Sequence, residues 1–323
     1  MIFIYLCPAM ILITGAGGML GGYLTEKFQN EKIATLGLRS ESDYNFDLTK
    51  ETPDFNNSIF NLVIHAAGTE EDRNSGELNL EGTKRLLKAL EKNPPNEFVY
   101  ISSYKVYSRD AGEDIDEETP TWATSEAGKS KALAEECVKE WCEERDVTLT
   151  IVRPARMFGN GVKGETLQLF NDALGSKYIH IRDNNAKVSL VCALDVARGI
   201  KEIYKYGGIY NVSDGRPVKF LDMMEAMTAN AGAKKRMTHL PANWAEWVWR
   251  LGKWIPSIHR NLAPEVVESR MKTLTLNGAK FANKAAIDYY DTIAVIEHTD
   301  KNYPYTSSLN PNSSTRKRNI HEV

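Results

Sequence analysis

A glycine-rich turn near the start of the chain limits the possible folds more than any other feature. Residues 10–24, MILITGAGGMLGGYL, read as an apolar strand, then glycines at positions 15, 18 and 21, then a helix. Glycine permits a tight turn, lets a pyrophosphate approach the backbone, and lets helix and strand pack closely. The helix N-terminus adds unpaired N–H groups and a positive dipole end. The pattern predicts a dinucleotide-binding unit, and the alternative is an ordinary strand–helix turn.

Apolar strands alternate with helical segments from the glycine turn to about residue 156. The strand-like runs are KIATLGL, LVIHAAG, EFVYISS and LTIVRPA, and the helical segments between them include ELNLEGTKRLLKALEK and GKSKALAEECVKEWCEE. This alternation predicts a parallel, doubly wound sheet. Continuous apolar runs are typical of strands that helices cover on both faces. The predicted fold is therefore α/β, with a Rossmann-type sheet and a smaller C-terminal substrate lobe.

The predicted domain organisation has four parts. We expect an N-terminal extension at 1–9, a Rossmann cofactor-binding domain at 10–165, a mixed region with returning sheet elements and the substrate lobe at 166–298, and a polar, disordered tail at 299–323. The first nine residues are apolar but too short for a signal peptide or a membrane span. A small anchor is the alternative for this segment.

Composition and charge argue against several classes of protein. The 323 residues are 42% hydrophobic and 26% charged, as in globular proteins, and a net charge of −3 gives no bulk attraction to nucleic acid or membranes. The four cysteines form no CxxC pair and are interpreted as free thiols in a reducing compartment. The six histidines are scattered, so no metal site is predicted. We expect a cytoplasmic protein with a small-molecule substrate, no nucleic-acid partner and no membrane span.

A tryptophan-rich segment in the second half of the chain has helical periodicity. The sequence NWAEWVWRLGKWIP places Trp247, Leu251 and Trp254 on one stripe. The first interpretation is a packed helix or lid of the smaller lobe. The alternative is a face for a membrane surface or an apolar substrate.

Nine short segments, taken in order, resemble a known family. They are TGAGGMLG, FDL, HAAG, NLEGTKRLL, ISSYKVY, GKSKALAEE, RPARMFGNG, VSLVCALDVARGI and IYNVSDG. The TGxxGxxG spacing is similar to that of the short-chain dehydrogenase/reductase superfamily, and the whole set resembles its extended branch, the NAD(P)-dependent epimerase/dehydratase family. The resemblance implies hydride transfer on a secondary alcohol or ketone of a nucleotide sugar, a sterol-like alcohol or a small carbonyl compound. Homodimers are frequent in this family, so a homodimer is expected by analogy.

The same resemblance implies which residues bind the cofactor. Those at the glycine turn are Thr14, Gly15, Gly18, Met19, Leu20 and Gly21. Those that follow later strands are Asp47 and Leu48 beside the adenine, Ala66, Ala67 and Gly68 where the chain crosses the nucleotide, Lys131 at the nicotinamide ribose, and Pro154 near the nicotinamide.

The end of the second predicted strand bears on the choice between NAD and NADP. An acidic residue there binds the ribose 2′-hydroxyl of NAD, whereas an arginine suits the 2′-phosphate of NADP. Counted from Gly15, this position is Arg39, and Ser40 follows it. A guanidinium and a hydroxyl can both donate to a phosphate. We predict NADP as the preferred cofactor, with NAD possible, and the alternative for Arg39 is a solvated loop residue.

The implied catalytic residues depart from the family pattern at one position. Ser103 matches the serine that holds the substrate oxygen, Lys131 the lysine of YxxxK, and Asn79 the asparagine that supports a proton relay. The tyrosine of YxxxK, which exchanges a proton with the substrate oxygen, is replaced by Ala127. Losing such a group lowers rates by about 10²–10⁴. The chain is therefore expected to bind cofactor but to turn over slowly, and the alternative is an inactive NADP-binding sensor or scaffold.

Overall fold

The computed structural model describes most of the chain. The described residues are 10–108, 110, 112–175, 178–230 and 237–298. The predicted N-terminal extension and polar tail lie outside these ranges. Within them, no helix has both the length and the apolar character needed to cross a membrane.

Short strands and helices alternate along the described residues. The strands, in chain order, are β1 (Met10–Thr14), β2 (Lys32–Gly37), β3 (Tyr44–Asn45), β4 (Leu62–His65), β5 (Glu97–Ile101), β6 (Gly112–Ile115), β7 (Thr148–Pro154), β8 (Arg156–Phe158), β9 (Ile179–Ile181), β10 (Lys187–Val188), β11 (Leu190–Cys192), β12 (Gly208–Val212), β13 (Val218–Lys219), β14 (Thr238–Leu240) and β15 (Leu274–Leu276). The α-helices are α1 (Met19–Lys27), α2 (Gly82–Ala89), α3 (Glu126–Glu143), α4 (Gly164–Leu174), α5 (Ala193–Ile203), α6 (Phe220–Ala229), α7 (Ala242–Leu251), α8 (Pro256–Asn261), α9 (Pro264–Met271), α10 (Ala279–Ala285) and α11 (Thr292–His298). A π-helical segment, Gly76–Glu81, leads into α2, and 3₁₀ turns lie at Tyr104–Val106 and Gly252–Trp254.

Seven parallel strands form the central sheet in the order β12-β7-β5-β4-β1-β2-β3. The strand order reverses at β1, which pairs with β2 on one side and β4 on the other. In open α/β sheets, ligands bind outside the carboxyl ends of the strands at such a reversal. The predicted Rossmann-type α/β fold is therefore confirmed.

The first strand is covered by helices on both faces. Ile11 and Ile13 pack in one buried cluster with Leu24 of α1. Leu12, between them, packs in a second cluster with Leu86 of α2. Successive side chains of a strand point to opposite faces, so a strand covered on both sides has to be apolar throughout. This explains why the strand reads as a continuous apolar run.

Three smaller sheets follow the main alternation. A four-stranded sheet has the order β13-β10-β15-β6, and two-stranded sheets pair β11 with β8 and β14 with β9. Helices α7, α8 and α9 lie near the last of these, where Ile181, Ala245 and Leu262 form a small buried cluster. This small lobe faces the carboxyl edge of the central sheet across a cavity described below.

The helix α7 packs in the smaller lobe, but not through the tryptophan stripe, which is exposed. Trp247, Leu251 and Trp254 are 68%, 78% and 83% exposed. The helix packs through a different stripe, in which Ala245 is buried and Trp249 contacts the small cluster. Residues four apart share one face of a helix, and this narrower stripe is the one turned toward α8.

A buried ion pair holds α3 against the central sheet. Arg153 on β7 donates to Glu135 on α3 from Nε at 3.0 Å and from Nη2 at 2.6 Å. The two side chains are 3% and 1% exposed. Arg153 Nη1 also donates to the Tyr107 hydroxyl at 2.9 Å, and that hydroxyl donates to Asn211 Oδ1 at 2.8 Å. Since α3 also carries Lys131, this network fixes the position of a predicted site residue.

Glu135→Ala is expected to lower the free energy of unfolding by about 3–5 kcal/mol, because it leaves the Arg153 guanidinium buried without its partner. The matched control is Glu136→Ala, which breaks the exposed pair with Lys139 on the same helix. That control is expected to change stability by less than about 1 kcal/mol. Urea unfolding followed by circular dichroism measures both, and equal losses would contradict the role given to the buried pair.

Candidate cofactor and active site

The glycine turn brings the start of α1 against the end of β4. Gly15 has a φ of +70°, and a Cβ atom on it would lie 2.7 Å from the Ala67 nitrogen. A Cβ on Gly21 would collide with the Gly15 carbonyl oxygen. The Gly18 amide donates to that same oxygen at 2.8 Å, which closes the turn. Only glycine fits at 15 and 21 without moving the backbone.

The residues of this turn fit the diphosphate of a dinucleotide. Helix α1 begins at Met19, directly after Gly18, and no side chain caps its first turn. The first-turn amides of a helix have no partner inside the helix, and with the helix dipole they favour an anion. Leu20 is buried in the core, whereas the predicted Ala66 and Ala67 stay partly exposed beside the turn.

Two cations converge on the glycine turn. Arg39 Nη2 donates to the Gly17 carbonyl oxygen at 3.1 Å, and Lys163 Nζ donates to the same oxygen at 2.9 Å. Burial lowers the pKa of Lys163, and the charge of Arg39 lowers it further. Ser40, the other predicted phosphate ligand, is exposed beside Arg39. An anion bound between the two cations would relieve their repulsion.

A buried polar chain links the ends of β1 and β4. Thr14 Oγ1 lies 2.7 Å from His65 Nδ1 and accepts from the Ala67 amide at 3.1 Å, while His65 Nε2 lies 2.9 Å from Thr83 Oγ1. Thr83 donates its hydroxyl proton to the Asn79 carbonyl oxygen at 2.6 Å. Thr83 must therefore accept from His65, which places a proton on Nε2. Because burial keeps the ring neutral, Nδ1 accepts the Thr14 hydroxyl proton. Burial, helped by the charge of Lys131, lowers the pKa of His65 to about 3.

The predicted lysine, asparagine and glycine meet at the carboxyl edge of the sheet. Lys131 Nζ donates to the Ile101 carbonyl oxygen at 2.7 Å. A Cβ on Gly68 would lie 2.5 Å from that Nζ and 3.0 Å from Asn79 Oδ1. Burial lowers the pKa of Lys131 to about 8, although nearby Glu70 and Glu135 oppose the shift. The Lys131 amine is therefore placed where a bound ribose could replace protein contacts.

The Asn79 side chain fastens the loop after Gly68 to α3. Its Oδ1 accepts from the Thr69 amide at 2.8 Å, and its Nδ2 donates to the Thr69 carbonyl at 2.9 Å and to Ser130 Oγ at 3.0 Å. Asn79 is fully buried. These contacts position the loop that carries the acidic residues described next.

Ser103 lies next to an acidic loop that follows Gly68. Its Oγ lies 3.5 Å from Glu70 Oε1 as donor, and it accepts from the Lys105 amide at 3.3 Å. Ala127 is buried, and its amide donates to Asp72 Oδ1 at 2.9 Å. Position 127 is thus held by one carboxylate of this loop, and Ser103 lies beside another. The sequence signal for this acidic loop is the run TEED directly after HAAG, to which the family resemblance assigns no role.

Other tyrosines near Ser103 have hydroxyls engaged by arginine. The hydroxyl of Tyr107 is buried between Arg153 and Asn211. Tyr104 accepts from Arg156 Nη2 at 3.1 Å, and burial raises the pKa of its phenol despite that arginine. Neither phenol takes the place of the missing one.

Three further residues predicted to contact the cofactor are engaged or buried within the protein. The Asp47 carboxylate accepts from the Thr49 amide at 3.0 Å and from its hydroxyl at 2.6 Å, so it caps a local turn. Leu48 is buried in the core, and Pro154 is buried at the end of β7.

A cavity of about 480 Å³ lies between the carboxyl edge of the sheet and the small lobe. Its lining includes the acidic residues Glu70, Glu71 and Asp72 from the sheet side, and Arg260 and Arg270 from α8 and α9. Arg156 also lines it, with a buried Nη1 that has no hydrogen-bond partner among the described residues. Its Nη2 pairs with Glu165 Oε1 at 3.3 Å, so Nη1 is left as a donor for a ligand oxygen. The cavity can therefore accept an anionic group.

Comparison with known proteins identifies the family. Residues 11–213 match the NAD dependent epimerase/dehydratase family. The chain belongs to that family. The resemblance seen in the nine sequence segments is thus confirmed.

A curated relative shares sequence with the chain, and solved structures share its fold. The chain is 25% identical over 255 residues, 72% of its length and 75% of the relative, to N-acetyl-alpha-D-glucosaminyl-diphospho-ditrans,octacis-undecaprenol 4-epimerase of Escherichia coli O157:H7. Its fold is similar to that of Thermotoga maritima UDP-glucose 4-epimerase with UDP-glucose, with a TM-score of 0.71, 17% identity and coverage of 90% and 97%. RMD of Pseudomonas aeruginosa, complexed with NADPH, has a TM-score of 0.67, 19% identity and coverage of 90% and 97%.

The low pKa of His65 makes the free energy of unfolding of this protein depend on pH. In the unfolded chain His65 takes up a proton below its usual pKa of 6.5, whereas in the folded chain it stays neutral down to about 3. The contribution of His65 to stability is therefore complete above pH 6.5 and lost as the pH falls, by about 1.4 kcal/mol per unit.

We expect the stability difference between the parent and His65→Gln to shrink by about 2 kcal/mol between pH 7.5 and 5. Urea unfolding at each pH gives both values, and using their difference cancels the titration of other groups. A difference that does not change with pH would show that the pKa of His65 is the same in the folded and the unfolded chain.

Proposed function

We propose that this chain catalyses nicotinamide-dependent hydride transfer on a secondary alcohol or ketone of a sugar attached to a diphosphate. The observation that carries the proposal is the cavity beside Ser103 and Lys131, whose wall holds the unpartnered Arg156 Nη1. Two of the related proteins support this substrate class. The E. coli relative acts on a sugar linked through diphosphate to undecaprenol, and the T. maritima structure contains UDP-glucose.

The arginines of the cavity suit a diphosphate. Arg270 and Arg260 enter from the lobe side, and Arg156 enters from β8. Arg270 Nη1 donates to the Asn261 carbonyl at 3.3 Å, and Arg260 Nη2 donates to Asp172 at 2.6 Å. A guanidinium offers five donors, so each of these retains capacity for phosphate oxygens.

The cofactor is proposed to lie along the carboxyl edge of β1 and β4. The turn at Gly15 would hold its diphosphate, and Lys131 would hold its nicotinamide ribose. The chemistry that the cofactor supplies when bound is reversible acceptance of a hydride from the alcohol carbon. We propose NADP as the preferred form, because Arg39 and Lys163 place two positive charges over the turn.

Replacing both Arg39 and Lys163 by alanine is expected to weaken NADPH binding at least about tenfold, because each charged hydrogen bond contributes about 1.5–3 kcal/mol. NADH binding should change much less, since that cofactor lacks the 2′-phosphate. Quenching of tryptophan fluorescence during titration measures both affinities. Lys139→Ala, on an exposed face of α3, is the control. If the parent binds NADPH no more tightly than NADH, the NADP preference is wrong.

Proton transfer has to proceed without the family phenol. We propose that Ser103 holds the substrate hydroxyl and that the Glu70 carboxylate, next to Ser103, accepts its proton. The O–H bond would break to Glu70 and the C=O bond would form, while the C–H electron pair would leave as hydride and be accepted by the oxidised nicotinamide cofactor when it is bound. In the reverse direction, protonated Glu70 returns the proton. A carboxylate is a weaker base than a phenolate, so the rate is expected to be low.

Ala127→Tyr is expected to raise turnover by about 10²–10⁴, because it restores a phenol four residues before Lys131. UDP-glucose and UDP-N-acetylglucosamine, each with NADP or NAD, are the test substrates, and chromatography of the sugar products measures the rate. Ala127→Phe is the control, because it adds the same bulk without the hydroxyl. Equal rates for the two variants would overturn the assignment of position 127.

The role of Glu70 is tested on the same assay. Glu70→Gln should reduce the rate of the parent at least about tenfold but have little effect once Ala127→Tyr is present. Glu71→Gln, which alters the next cavity-lining carboxylate, is the matched control. A loss that is equal in both backgrounds would mean that Glu70 shapes the cavity and does not accept the proton.

The second candidate function is a non-catalytic NADP-binding sensor or scaffold. The observation that favours it is Ala127 itself, since the rest of the cofactor edge is retained. In that case the Ala127→Tyr variant would bind NADPH normally and show no turnover with either sugar nucleotide.

A further inference from the structure

Large apolar side chains are concentrated on the outside of α7 and the turn after it. Trp244 and Ile255 are 59% and 50% exposed, and they join the exposed Trp247, Leu251 and Trp254 already described. We call these five side chains the tryptophan face. Contiguous apolar surface of this kind marks an interaction site in folded proteins.

The tryptophan face is the outer side of a helix that is anchored by its other side. The buried Ala245 and the partly buried Val248 and Trp249 pack against Ile258 and Leu262 of the next segment. Trp249 also lies over His259, with ring centroids 5.2 Å apart. The exposed stripe is therefore the outer side of a helix that packs within the lobe through its opposite side.

The segment that carries the face contains more basic than acidic residues, although Arg260 lines the cavity and pairs with Asp172. Residues 242–260 contain Arg250, Lys253 and Arg260 but a single acidic residue, Glu246, although the whole chain has a net charge of −3. The Arg250 side chain is 65% exposed, and it pairs with Glu246 at the helix surface. Tryptophan beside arginine and lysine is the composition of helices that lie in the interface of an anionic membrane.

The size of the face argues against a second copy of the chain as its partner. Its helical part, from Trp244 to Leu251, is about 12 Å long at 1.5 Å per residue, and Trp254 and Ile255 follow in and after the 3₁₀ turn. A helix is about 10 Å wide, and a stable dimer buries about 800 Å² on each partner. A membrane surface does not require shape complementarity, so a narrow apolar stripe of a helix can bind to it.

We propose that the tryptophan face docks this protein on the surface of a bilayer that contains anionic phospholipid. The indole and leucine side chains enter the headgroup layer, and Arg250 meets lipid phosphates. Arg260, from the same segment, lines the cavity, so docking would bring the cavity near the lipid. The proposal rests on α7 and its surroundings, and it stands whether or not the proposed catalytic function is correct.

The test is flotation of the full chain with vesicles of phosphatidylcholine and phosphatidylglycerol, compared with phosphatidylcholine alone. The parent should bind the mixed vesicles with a blue shift of tryptophan fluorescence, and the binding should weaken as salt rises. The triple variant Trp244→Ala, Trp247→Ala, Leu251→Ala should lose at least about tenfold in affinity. Trp122→Ala is the control, because Trp122 is 76% exposed elsewhere on the surface and should leave binding unchanged.

Several outcomes would overturn the proposal. One is that the parent fails to bind either vesicle, and another is that the triple variant binds as well as the parent. Circular dichroism and the unfolding midpoint of the triple variant establish that it is folded, since only exposed side chains are removed. If gel filtration shows a dimer that the triple variant abolishes and vesicles do not bind, the face is a contact between two copies and not a lipid-binding surface.

Discussion

The close approach between the glycine turn and the end of β4 determines the shape of the whole site. At Gly15 there is no room for a side chain against Ala67, and this contact sets the edge along which a dinucleotide would lie. The hydrogen bonds of Thr14 and His65 lock the two strand ends together from inside. Everything else at the edge, including the lysine of α3, is placed relative to this rigid frame.

The parts of the site that follow from local sequence were predictable. The turn required glycine for steric reasons that operate within a few residues, and the alternation of strands and helices predicted the sheet. Lys131 and Ser103 could be singled out because they belong to short segments with a recognisable order, and the structure brings both to the carboxyl edge of the sheet. In each case the relevant physics lies within one supersecondary unit.

Other parts depend on contacts between residues far apart in the sequence. Lys163 reaches the glycine turn across 146 positions, and Glu70 meets Ser103 across 33. No periodicity or motif marks such pairs, because the fold alone brings them together. The packed side of the tryptophan helix was not predictable for a related reason. Its helical periodicity was visible, but the sequence does not say which of two stripes faces the lobe. Ala245 and its neighbours took the inner position.

The Arg156 guanidinium is only partly used by the protein itself. Its Nη2 pairs with Glu165, whereas its Nη1 has no hydrogen-bond partner among the described residues. A ligand oxygen that accepts from Nη1 would add a charged hydrogen bond at the wall of the cavity. A ligand that binds only the folded chain stabilises it, so folding and occupancy would be thermodynamically linked. Neutral molecules of similar shape would gain less from this nitrogen, which favours anionic ligands.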